Sequence, residues 1–325
     1  MRTIAIEEHF LADGFREAMQ RNAADHVGNM TWSSEIQAKL ADLGEIRLKE
    51  MDAGGIDLQV ISHNTIDMAS LPADEVARLA RQANDQLAAA IAAHPTRFAG
   101  FATLPVTSPE VAADELERAV HLPGIKGTMI GGTINGRFLD DPAFLPILER
   151  AAALDVPIYI HPGVPPASVR EAYYSGFDPA VNYVLATSGW GWHNETAIHA
   201  LRLILSGVFD RLPGLQIIIG HMGEMIPFML DRINNTLTSA AKNLQRPVPD
   251  YLLQNFYITT SGFFSEPPLL LALQTLGADR IIFSVDYPYS SSERGRKFLE
   301  NAPISPFDKE KISHLNAGRV LKLAQ

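Results

Sequence analysis

The sequence predicts an α/β fold, a (β/α)8 barrel with an irregular insert after its fifth strand, and three observations predict it. Short β-rich runs recur along the whole chain, at 3–6, 57–62, 98–103, 125–130, 156–160, 215–219, 256–260 and 280–285. Several, such as Ile217-Ile218-Ile219 and Ile281-Ile282-Phe283, are almost wholly apolar, the pattern of strands covered on both faces of a parallel sheet. Helical periodicity fills most of the gaps, and about eight strands alternating with helices favour a closed barrel over an open sheet.

Taken in order, the first run leads directly into Glu7-Glu8-His9, and the second is followed by the clearest helix, 72–94. There Val76, Leu79, Ala83, Leu87 and Ile91 recur every three or four positions, which gathers them on one face. Further helices are expected at 112–120, 141–154, 197–210, 224–243, 268–276 and 308–323. Asp141-Pro142 and Glu266-Pro267-Pro268 read as helix starts, where proline is tolerated in the first turn. Pro95 and Pro213 follow helices they cannot continue, and Gly124, Gly214 and Gly277 sit where a helix ends before a strand. The stretch 161–195, rich in Pro, Gly and aromatics, is expected to be the irregular insert, a lid or pocket wall. With no repeat, low-complexity tract or linker, residues 1–325 are expected to form one barrel domain.

Composition narrows the function. A formal net charge of −10 over 325 residues weighs against nucleic acid or an anionic membrane as the main partner. No apolar run approaches the ~20 residues of a membrane span. Zero cysteines exclude disulfides, thiolate metal sites and cysteine nucleophiles. The N-terminus lacks the apolar core of a signal peptide, so a cytoplasmic location is expected. The polar chemistry must come mainly from His, Asp, Glu and Arg.

Barrel enzymes carry that chemistry at the C-terminal ends of their strands. Here the first strand ends at Glu7-Glu8-His9, where Glu7 and His9, two apart, project to one side and Glu8 to the other. The second ends at Ser62-His63-Asn64, the fifth at His161-Pro162-Gly163, the sixth at Gly220-His221-Met222-Gly223-Glu224 and the eighth at Asp286-Tyr287-Pro288. A set of two imidazoles and two carboxylates suits Zn²⁺ or Mn²⁺ with open positions for water or substrate. Singly, each residue has a plain structural reading: a loop hydrogen bond for a histidine, a turn for Asp286, a helix cap for Glu224. Placed at the same end of several strands, they indicate a metal or catalytic centre.

With Glu7-Glu8-His9-Phe10, His161-Pro162, Gly220-His221-Met222-Gly223-Glu224 and Ser284-Val285-Asp286-Tyr287-Pro288, the chain resembles the decarboxylase branch of the amidohydrolase superfamily. That branch includes γ-resorcylate, 2,3-dihydroxybenzoate and 5-carboxyvanillate decarboxylases and, more distantly, aminocarboxymuconate semialdehyde decarboxylase. The resemblance covers nearly the whole chain and includes Met51–Asp57, His199–Leu203 and Tyr257–Gly262. It implies one divalent ion, Zn²⁺ or Mn²⁺, on Glu7, His9, His161 and Asp286, and a homodimer or homotetramer. It also implies Asp286 as proton donor, with His221 assisting and Glu224 orienting it. Arg232 matches an arginine that reaches a neighbouring subunit's site. Glu7 stands where hydrolytic relatives have the first histidine of His-x-His, and no carboxylated lysine is evident; both departures favour a single metal and non-hydrolytic chemistry.

The substrate shell matches less well. Gly131 stands about where such decarboxylases often place an asparagine, and Asn135 is the candidate to replace it. Trp192, His63 and Tyr289 are the other candidate pocket residues. The expected function is metal-dependent, non-oxidative decarboxylation of a hydroxylated aromatic or related unsaturated carboxylic acid. A hydrolase or hydratase acting on a lactone, amide or double bond is the alternative on this scaffold, and a silent ligand-binding barrel is the third reading.

Overall fold

The computed structural model describes residues 1–21, 32–64 and 71–323. Among them eight parallel strands follow one another in sequence order: β1 (Ile4–Phe10), β2 (Leu58–His63), β3 (Phe98–Ala102), β4 (Ile125–Gly131), β5 (Ile158–His161), β6 (Ile217–Ile219), β7 (Phe256–Thr259) and β8 (Ile281–Ile282). Helices lie between them, giving the (β/α)8 barrel expected from the alternating pattern. β8 is shorter than the apolar run 280–285 because the chain beyond it closes the ring through a few single hydrogen bonds rather than a continued ladder. His9 N donates to Tyr287 O at 2.7 Å and Asp286 N to Glu7 O at 3.1 Å.

Two apolar layers result. Ile4, Ile6, Leu58, Val60, Phe101, Tyr159, Ile218 and Ile282 fill the barrel, and Ala5, Phe10, Ile61, Ile130, Ile160 and Ile219 pack outward beneath the helices. The register of β1 against β2 shifts between Ala5 and Glu8. Such an irregularity changes which way successive side chains point. It lets Glu7 follow the inward Ile6 into the barrel with His9, while Glu8 and Phe10 turn outward. Glu8 is fully buried and accepts from Val285 N (2.9 Å), Tyr287 N (3.2 Å) and Ser284 Oγ (3.2 Å), which pins β1 to the closing segment.

The structure also contains what periodicity did not reveal. Helices Asp13–Arg21, Ser34–Ala41 and Glu45–Gly54 lie between β1 and β2, and Ser292–Asn301 follows β8. The insert is less irregular than expected, holding helices Ala167–Tyr173 and Pro179–Ala186 before Gly191–Leu205. The expected helix 224–243 begins at Ile226 and passes into a π-turn at Asn234–Thr238. Among the described residues, no helix is long and apolar enough to cross a membrane.

Candidate active site

Strand ends bring four predicted residues together. One ligand atom from each of Glu7, His9, His161 and Asp286 lies within 4.8 Å of the other three. His9 Nε2 is 3.3 Å from Asp286 Oδ1, and His161 Nε2 is 3.4 Å from Glu7 Oε1. Glu7 and His9 come from β1, His161 ends β5, and Asp286 sits in the closing turn with φ of 72°, a left-handed conformation that aspartate tolerates better than most residues.

Each of these side chains is held by a second contact that leaves one atom facing the centre. Glu7 Oε2 accepts from the hydroxyls of Tyr159 and Ser261, and from Thr259 Oγ1 at 3.4 Å. Burial and the Glu7 charge push the Tyr159 phenol well up, so it remains an O–H donor. His161 Nδ1 lies 2.7 Å from Pro162 O; a carbonyl only accepts, so Nδ1 carries the proton and Nε2 keeps its lone pair. Burial and the neighbouring His9 lower His161 to about 4, which keeps the ring neutral. His9 Nδ1 meets Ser62 Oγ at 3.3 Å. Glu7 Oε1 and His9 Nε2 are buried and lack any hydrogen-bond partner among the described residues. Two such atoms facing each other across one space are costly unless something joins them. Two imidazoles and two carboxylates with fixed outer partners fit a divalent cation.

Close packing explains the glycine beside Glu7. A Cβ on Gly220 would lie 2.9 Å from Glu7 Oε2 and 3.0 Å from Tyr159 Oη. Immediately after it, His221, Met222, Glu224 and Met225 all have positive φ, a tight path that swings His221 and Glu224 back toward the centre. His221 Nδ1 lies 2.8 Å from Glu224 Oε1, and His221 Nε2 is 4.0 Å from Glu7 Oε1. Burial alone would depress His221, but Glu224, Glu7 and Asp286 outweigh it and raise the imidazole to about 10. Burial alone would raise Glu224, and the two imidazoles of His221 and His193 instead hold it below the usual carboxylate range.

A cavity of about 630 Å³ opens over this cluster, lined by His63, Asn135, His161, Trp192, His221, Asp286 and Tyr289. Within it, His63 contributes from the strand end, while its ring packs against Phe10 and Phe15 at centroid distances of 5.3 and 4.5 Å. Trp192 and Thr107 each turn a buried, unpartnered polar atom, Nε1 and Oγ1, into the wall. Arg232 stands apart: it is exposed on helix Ile226–Ile233 and lines no part of this chain's cavity. Sequence reading passed over two residues. Arg170, from the insert, lines the cavity, and His193 bonds Glu224; His193 lay in a conspicuous aromatic run, but its partner is 31 residues away.

The amidohydrolase family model matches residues 23–323. A γ-resorcylate decarboxylase of Polaromonas sp. is 38% identical over 332 residues, covering 98% of each chain. A crystal structure from the same organism, a dihydroxybenzoic acid decarboxylase with bound manganese and the inhibitor 2-nitroresorcinol, superposes with a TM-score of 0.89 at 37% identity, covering 100% of this chain and 98% of that one. The 5-carboxyvanillate decarboxylase of Sphingomonas paucimobilis superposes with a TM-score of 0.91 at 33% identity over 99% of both.

Proposed function

The chain belongs to the amidohydrolase family, and on that premise we propose that it is a metal-dependent, non-oxidative decarboxylase of a hydroxylated aromatic carboxylic acid. The observation that carries this reading is the convergence of Glu7, His9, His161 and Asp286, each tethered so that one ligand atom faces a common point. Decarboxylase relatives of full-length similarity disfavour the hydrolase or hydratase alternative.

Glu7, His9, His161 and Asp286 would hold Mn²⁺ or Zn²⁺, which would supply positive charge for the acid and for the negative charge developing on it. The reaction replaces a carboxylate by a proton at one ring carbon. Asp286 delivers that proton; as CO₂ departs, the electrons of the broken C–C bond restore the aromatic ring. His221, its Nδ1–H tied to Glu224, keeps Nε2 toward the cavity to hydrogen-bond the substrate and assist proton movement. Trp192 and Tyr289 wall the ring by stacking, Asn135 and His63 complete the pocket, and Arg232 serves a neighbouring subunit's site. A cytoplasmic location and a homodimer or homotetramer complete the reading; Phe228 and Met229, exposed on the same helix as Arg232, support the association.

CO₂ release from a panel of ortho-hydroxybenzoates by Mn²⁺-loaded protein tests it. Asp286→Asn, checked for metal content, is expected to lower turnover at least ~100-fold. Silence across the panel together with lactone turnover refutes the proposal.

A further inference from the structure

We propose that His193 is a positioning residue for the His221–Glu224 pair, the outer member of a His193–Glu224–His221 chain that ties proton handling to the pocket wall. The inference rests on the decarboxylase reading for the role of His221. It deepens that reading by naming what aims the pair.

One carboxylate oxygen of Glu224 is enough to hold His221. The other, Oε2, lies 2.6 Å from His193 Nδ1. His193 Nε2 in turn lies 3.2 Å from the carbonyl oxygen of Ser188. Carboxylate and carbonyl only accept, so the ring lies between two acceptors, and the shorter contact is an Nδ1–H donated to Glu224. The contacts therefore fix the ring in place from two directions. Its backbone is fixed as well. His193 sits in the first turn of helix Gly191–Leu205, and the helix can start there because Gly191 has no side chain: a Cβ would lie 2.2 Å from Ala186 O.

The two imidazoles share one slot. Their centroids are 4.9 Å apart, and the Phe263 ring packs edge-on against both, at 5.6 and 5.9 Å. Ser188 and Trp192, both just before His193 in sequence, line the cavity. His193 is thus a link between the insert that walls the substrate and the carboxylate that orients the ring of His221. Without it, Glu224 Oε2 is a buried charge with no donor. The carboxylate then turns to recover one, Oε1 leaves His221 Nδ1, and the ring no longer presents Nε2 to the cavity in a single orientation.

His193→Phe fills the slot without a donor, and His193→Asn places an amide N–H where Nδ1–H stood. In Mn²⁺-loaded protein, His193→Phe is expected to lower kcat about 10- to 100-fold, part of the ~100- to 10,000-fold that acid–base groups supply, with KM within about twofold. His193→Asn is expected to recover most of that loss. Histidine-selective NMR of the Zn²⁺-loaded protein reads the His221–Glu224 hydrogen bond without turnover. The His221 Nδ1–H resonance is expected in wild type and His193→Asn and to be lost or shifted in His193→Phe. Wild-type protein that releases no CO₂ overturns the functional reading, while the NMR arm still decides the role of His193. Unchanged kcat and an unchanged His221 resonance in His193→Phe overturn the positioning role, as does a folded Asn variant no better than Phe. Loss of one of two bound metal equivalents on substitution also overturns it, by making the trio a second cation site.

Discussion

Gly220→Ala is the sharpest perturbation of the centre that leaves every candidate ligand in place. The added methyl would start 2.9 Å from Glu7 Oε2 and 3.0 Å from Tyr159 Oη, whereas ordinary contacts of this kind begin near 3.4 Å. Something must move by roughly half an ångström. Glu7 Oε2 has little freedom to do so, since hydroxyls of Tyr159, Ser261 and Thr259 converge on it. Overpacking a full site costs about 1–3 kcal/mol of stability. A displacement of that size at a ligand's outer support lowers metal affinity about 10- to 100-fold, equivalent to ~1.4–2.8 kcal/mol. Competition for Mn²⁺ against a fluorescent chelator measures the second effect, and thermal melting of metal-free protein measures the first. Gly214→Ala is the control, because a Cβ there meets nothing within 4 Å, and its stability is expected within ~0.5 kcal/mol of wild type. Mn²⁺ binding by Gly220→Ala as tight as wild type refutes the claim that Glu7 is held without slack.

Metal should stabilise the fold, since Glu7 Oε1 and His9 Nε2, which no hydrogen bond satisfies, are brought together only in the folded chain. At a hundredfold excess over Kd the gain is about 2.7 kcal/mol, read as a rise in Tm that Glu7→Gln abolishes; an equal rise in that variant counts against Glu7 as a ligand. A pH effect is expected away from the centre, at His199, whose Nε2 accepts from Leu139 N at 3.0 Å. Burial lowers this imidazole to about 3, so below pH ~6.5 the unfolded chain binds a proton that the folded chain refuses. Its contribution to stability is present above that pH and falls by roughly 1 kcal/mol between pH 7 and 5.5. His199→Gln keeps the acceptor without the titration and should lose less Tm across that interval; equal losses refute the assignment.

What the sequence made legible follows from which physical signals are local. Parallel strands buried on both faces spell themselves as apolar runs, so β2 to β7 fall within a few residues of the runs that announced them. Glu7, His9, His161 and Asp286 were legible because each stands at a strand end, where alternation and the barrel's geometry together aim a side chain. Helix Glu45–Gly54 escaped for the opposite reason. Its inward face carries Arg47, fully buried, with a guanidinium bonded to His9 O at 2.5 Å and Gln59 Oε1 at 3.1 Å. A charge that serves as core reads in sequence as surface, and only the carbonyl it satisfies 38 residues away reveals its place.

His193 marks the same boundary within the site. Glu224 lies three residues from His221, so their pairing is visible as spacing; the bond from His193 to Glu224 joins residues 31 apart and has no such signal. Fold and metal-binding set depend on short-range pattern repeated eight times around a ring. The orientation of the proton-handling pair depends on one long-range contact from the end of the insert. If this division holds, substitutions in the insert should alter kcat and substrate choice while sparing metal content, and changes at the strand ends should remove the metal first.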